Sequence, residues 1–114
     1  MASEIAADKL AELKALGGDA LISKLLGKFV ENSGKLLSDA VTAAQAGDAA
    51  KVDYCVHTLK GSALSLGLND MSNILVDLNV RTKAKNLTGA EADLKKLQQM
   101  LLEVKAYKNQ NFPS

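Results

Sequence analysis

The chain has one cysteine, one histidine, one proline and no tryptophan in 114 residues. Each scarcity excludes something. The lone cysteine, Cys55, cannot close an internal disulfide, which fits a reducing, cytoplasmic setting. One His and one Cys, on opposite sides of a helix, cannot bind the same ion, so no metal site is expected. Pro113 lies beside the C-terminus, and nothing before it forbids long helices. With four aromatic residues (Phe29, Tyr54, Tyr107 and Phe112), the core falls to aliphatic side chains. No apolar run approaches the roughly 18 residues that a membrane span needs. No basic segment followed by an apolar stretch marks a secretory signal. Glycine-rich nucleotide loops of the P-loop and dinucleotide kinds are missing, so the protein is not expected to take phosphate from ATP itself. Charge of one sign is missing as well. The net charge is +1, from 14 Lys and Arg against 13 Asp and Glu. It is unevenly spread: residues 1–57 hold 6 basic and 8 acidic groups, or −2, and residues 58–114 hold 8 and 5, or +3. No basic stripe of nucleic-acid-binding density results.

What is present is helix-forming sequence, rich in Ala, Leu and Lys. Residues 3–16 read as a short first helix. Ser3 can cap it, Ile5, Leu10, Leu13 and Leu16 recur at roughly helical spacing, and Gly17-Gly18 stop it. Asp19 can cap a long second helix carrying Ile22, Leu25, Leu26, Phe29, Leu36, Leu37, Ala40, Val41 and Ala44 on one face. Gly47 ends it and Asp48 caps the next, which runs from about Ala49 to Leu66, with Gly67 as its stop. Asn69 can cap a fourth helix to about Lys85, with Met71, Ile74, Leu75 and Leu78 inward. Thr88-Gly89-Ala90-Glu91 has capping-box spacing and opens a fifth helix, with Leu94, Leu97, Leu101 and Val104 inward. Residues 109–114 read as a frayed tail. Four long helices with short connections and one apolar stripe each imply an all-α, antiparallel four-helix bundle with a short additional N-terminal helix. One domain covers residues 1–114, and no surplus apolar stripe demands a partner copy, so a monomer is expected.

The third helix carries the single histidine. At about 100° per residue, Val52, Cys55, Val56, Leu59, Ala63 and Leu66 cluster on one side and His57 stands nearly opposite, toward solvent. Lys60 and Gly61, three and four residues on, share its surface. A free imidazole is a good nucleophile near pH 7. A neighbouring ammonium can compensate phosphate charge. Gly61 costs helix stability and nothing calls for a kink, so its use is close approach beside His57. Tyr54 and Leu64, and Leu68 if the helix persists through 68, fall on the same side and can form a docking patch around the histidine, with Asp53 as a rim charge. Cys55 reads as a small buried apolar side chain.

The stretch from His57 to Gly67 resembles the signature of histidine-containing phosphotransfer (HPt) domains. Their pattern is His, any residue, Leu, Lys, Gly, two small residues, and a Gly ten positions after the His. His57, Leu59, Lys60, Gly61, Ser62, Ala63 and Gly67 match it. The Gly-Gly-Asp before the second helix and the Gly-Asp before the histidine helix are similar too. The resemblance implies a carrier in a multi-step phosphorelay. His57 would accept a phosphoryl group from a receiver-domain phospho-aspartate, as of a hybrid histidine kinase, and pass it to the aspartate of a second receiver, a response regulator. The receiver would supply Mg²⁺ and most of the catalytic groups. Family members often carry Gln or Glu 22 positions after the histidine and sometimes a basic residue 26 after. Here those places hold Asn79 and Lys83, and Asn79 is one methylene shorter than Gln. The other reading is a helical adaptor that binds a receiver or kinase domain without carrying phosphate. It leaves the combination of His57, Lys60 and Gly61 without a use.

Overall fold

The structure, a computed structural model, describes residues 4–113. These form α1 (Ala7–Gln45), α2 (Ala49–Ser65), α3 (Asn69–Lys83) and α4 (Ala90–Asn111). Each helix packs on the two beside it, α1 on α2 and α4, and α3 on α2 and α4. The result is an antiparallel square bundle, 42 Å long and 21 Å across. Its core is aliphatic. Ile22, Leu26 and Leu37 of α1 meet Val52, Val56 and Leu59 of α2, Met71, Leu75 and Leu78 of α3, and Leu94, Leu97 and Val104 of α4, all fully buried. Each such side chain contributes roughly 1.5–3 kcal/mol by leaving water.

The expected stop at Gly17-Gly18 is a kink and not a loop. Gly18 has φ 67° and ψ −164°, and helix resumes at the next residue. α1 is therefore two limbs, residues 7–17 and 19–45, and the first is the short additional helix. Ser3, its expected cap, lies outside the described residues. Leu13 is buried, but Leu16 is 71% exposed. Six residues beyond Leu10, it lies about 120° around the helix and falls off the stripe.

Helix boundaries follow the caps in part. Asp48 caps α2 as expected, its Oδ1 accepting from the Lys51 amide at 3.1 Å. Asn69 does not cap α3. It is the first helical residue, and Leu68 precedes it without a side-chain cap. The capping box at Thr88–Glu91 does not form either. Gly89, with φ 73°, leads into α4, and the Glu91 carboxylate accepts from Gln45 Nε2 at 3.1 Å and pairs with Lys95 at 3.0 Å. These two partners hold its carboxyl below the usual range, Gln45 first. A contact from across the bundle has displaced the local cap.

The end of α4 is packed and not frayed. α4 continues through Asn111, and Phe112 is 5% exposed. Its ring meets Tyr107 edge-on at 5.6 Å and 75°. The ammonium of Lys14 sits 6.0 Å from its centre. A helix cannot fray cheaply when its last turn carries a buried ring.

The N-terminal limb closes the other side of the same end. Ile5 is buried, and the Ala6 amide donates to the Gly67 carbonyl at 2.9 Å. Gly67 follows α2 with φ 69°, and a β-carbon there would stand 2.8 Å from Lys9 Cβ. Two constraints therefore fall on one residue, a left-handed turn and a close neighbour. Gly67→Ala is expected to lower stability by at least about 1–2 kcal/mol, the left-handed penalty alone, with helicity retained. A urea melt followed by circular dichroism checks it, and an unchanged midpoint would show that the turn relaxes freely.

Candidate functional site

α2 presents two unlike faces, as its sequence implied. Val52, Cys55, Val56, Leu59 and Ala63 are buried, and His57 is exposed. Burial pushes the Cys55 thiol up, helped by the charge of Asp39, so it stays protonated as an apolar filler. Gly61 is exposed, and a β-carbon added there would meet nothing within 4 Å. The space beside His57 is open.

Of the expected docking residues, Tyr54 and Leu64 are 66% and 51% exposed, but Leu68 is 1% exposed. α2 ends at Ser65, the chain reverses through Leu66 and Gly67, and Leu68 turns into the core. The reading of a helix persisting through Leu68 fails at that turn. On α3 two exposed apolar residues were missed from the sequence, Val76 and Val80, at 44% and 67%. They lie four apart beside Asn79, on the outer side of the helix packed against α2. The signal was there, since both fall outside the stripe of Met71, Leu75 and Leu78.

The polar groups converge where α2 meets α3. Lys60 is half-buried and its Nζ donates to Asn79 Oδ1 at 2.9 Å. Asn79 is 2% exposed, and its Nδ2 donates to Asp53 Oδ1 at 2.9 Å. The Thr82 hydroxyl donates to the same Asp53 oxygen at 2.8 Å. Asn79 thus reaches Lys60 and Asp53, and no hydrogen bond joins it to His57 among the described residues. Asp53, read as a rim charge, accepts two hydrogen bonds and ties α3 to α2. Lys83 is exposed in the last turn of α3, one turn beyond Asn79.

On the other side of Gly61 a groove of about 790 Å³ runs between α1 and α2. Leu25, Phe29 and Leu36 line it, with Lys28 and Lys35 among its rim and Thr58 and Gly61 on the α2 wall. No spacing rule within one helix could have found it, because its walls come from two. Among the described residues no three His, Cys, Asp or Glu side chains gather as a metal would require, and no helix is long and apolar enough to cross a membrane.

The Hpt domain model matches residues 24–107 of this chain. The chain belongs to the Hpt domain family. It is 34% identical over 107 residues to histidine-containing phosphotransfer protein 2 of Arabidopsis thaliana, covering 89% of this chain and 67% of that protein. The crystal structure of histidine-containing phosphotransfer protein B from Pseudomonas aeruginosa superposes with a TM-score of 0.86, over 96% of this chain and 95% of that one. Its sequence identity is 24%, so that likeness speaks for the fold. This Hpt protein is a histidine phosphotransfer carrier of a phosphorelay, and Hpt proteins in phosphorelays interact with receiver domains.

The burial difference between two leucines has a direct consequence. Leu68→Ala should cost about 2–5 kcal/mol, as buried leucines do. Leu64→Ala should stay within about 0.5 kcal/mol, as exposed sites do. Chemical denaturation of both variants checks the pair, and equal costs would contradict the turn at Gly67.

Proposed function

We propose that His57 is the phosphoryl acceptor. A ring nitrogen of His57 attacks the phosphorus of a receiver phospho-aspartate. The P–N bond forms as the P–O bond to the aspartyl carboxylate breaks, and the electron pair of that bond returns to the carboxylate. The reverse exchange, on a second receiver, discharges the histidine. A hybrid histidine kinase and a response regulator would supply the two receivers, and Mg²⁺ held by each receiver would offset charge on the phosphoryl group. Lys60 adds compensation from this side.

The observation that carries the reading is one exposed histidine flanked by a half-buried ammonium and a bare backbone. Phosphoryl transfer asks chiefly for position and electrostatic stabilisation, and this surface offers both. Tyr54, Leu64, Val76 and Val80 give a receiver an apolar rim to dock on, and Lys83 adds a cation at its edge. A monomer working in the cytoplasm suffices for this role. An adaptor that never carries phosphate is the poorer reading, since binding alone needs none of His57, Lys60 and Gly61 together.

Two substitutions test it. His57→Gln should abolish acid-labile, base-stable label from a phosphorylated receiver, with stability changed by no more than about 0.5 kcal/mol. Label retained in that variant would sink the assignment. Gly61→Gln should be equally or more stable, because glycine is about 0.8–1.0 kcal/mol worse than alanine in a helix interior. Its transfer should nevertheless be strongly slowed, because the side chain obstructs the approach to His57. A melt and a transfer time course on the same variant decide it, and wild-type transfer would refute the access argument.

A further inference from the structure

Asp53 and Lys60 stand seven residues apart on α2 with His57 between them. That spacing puts a carboxylate and an ammonium on the stripe that carries the histidine. Opposite charges so placed attract, and a direct pair would neutralise the cation a phosphoryl group needs. They form no salt bridge. Asn79 stands between them, its oxygen on Lys60 at 2.9 Å and its nitrogen on Asp53 at 2.9 Å. A carboxamide accepts at one end and donates at the other without ionising, so it separates the two charges and satisfies both.

Its orientation is fixed from outside. The Thr82 hydroxyl donates to the same oxygen of Asp53 at 2.8 Å, and Asn79 Nδ2 also reaches Thr82 Oγ1 at 3.3 Å. Asn79 and Thr82 are 2% and 1% exposed. Reversing the amide would face its NH₂ to an ammonium and its oxygen to a carboxylate. Among neutral side chains only the amides of Asn and Gln and the imidazole of His carry a donor and an acceptor on separate atoms.

We propose that Asn79 is a positioning residue. It holds the Lys60 ammonium on the His57 face and keeps it from Asp53, so that an unneutralised cation awaits the phosphoryl group. The proposal rests on His57 being the acceptor. A charge-assisted bond to phosphate is stronger than one to a neutral amide, so Lys60 can turn from Asn79 to the arriving group.

Phosphoramidate as donor tests this without receiver docking. His57 nitrogen attacks its phosphorus, the donor P–N bond breaks, and ammonia leaves with the proton that the imidazole gives up. The rate of phosphohistidine formation, read by ³¹P NMR, is compared for wild type, Lys60→Ala, Asn79→Ala and the double variant, with helicity checked by circular dichroism. Asn79→Ala should be about tenfold slower, the effect of one hydrogen bond to a charged group. The double variant should be no slower than Lys60→Ala, since Asn79 acts only through Lys60. Losses that multiply, or a folded Asn79→Ala at the wild-type rate, would overturn the proposal. Asp53→Asn decides the matter even if Asn79→Ala fails to fold, because it keeps the accepting oxygen and removes the charge. Its rate should equal or exceed wild type, and a fall to the Lys60→Ala rate would show that Asp53, not the amide, sets up the cation. A phosphohistidine signal that persists in His57→Gln would overturn the assignment of His57 itself, an outcome distinct from any change at Asn79.

Discussion

The structure depends on the burial of one stripe of α2. Val52, Val56, Leu59 and Ala63 are withdrawn from water completely, and a helix with one buried stripe has no freedom in how it presents the rest. His57 is exposed because its neighbours one turn away in the buried direction cannot be. The same burial sets Asp53 and Lys60 at the α3 edge of that helix, where their side chains meet Asn79 and Thr82. Hydrophobic burial is non-directional; it becomes specific here because helical geometry converts it into an angle.

The seam between α2 and α3 shows the complementary rule for polar groups. Asn79 and Thr82 are buried where an apolar pair would pack. A buried polar atom without a partner costs about 1–3 kcal/mol, and here the partners are the two charged groups of α2. The seam therefore fixes the register of α3 on α2 through bonds that only one alignment satisfies, while the leucines beside it supply the bulk of the burial.

Glycine serves two unrelated ends within seven residues. At Gly67 the backbone demands it, through a left-handed φ and Lys9 lying where a β-carbon would stand. At Gly61 the backbone is ordinary helix and the surroundings are empty. One position is crowded on a left-handed backbone and the other is open on a helical one. Gly67 belongs to the fold, and Gly61 is the bare helix surface on which the proposed access to His57 rests, although both stand in one sequence signature.

Helical periodicity alone located the stripe of α2, the exposure of His57 and the inward leucines of α4, because those properties depend on neighbours within about two turns. The bundle followed from the same stripes. Local rules failed where a turn or a side-chain contact outside the helical period decided the outcome. Glu91 left its capping box for Gln45, 46 residues away. Leu68 went inward because the chain reverses at Gly67, and Phe112 was held by Tyr107 at an end that looked free. Asn79 was found by counting from His57, but its partner was not. Whether an amide on α3 meets an imidazole or an ammonium on α2 depends on the rotation and register of two helices. The sequence determined which faces each helix would bury, and through them the exposed histidine. Only the tertiary structure decided what stands across each interface, because that contact is made between segments whose separation along the chain carries no record of their separation in space.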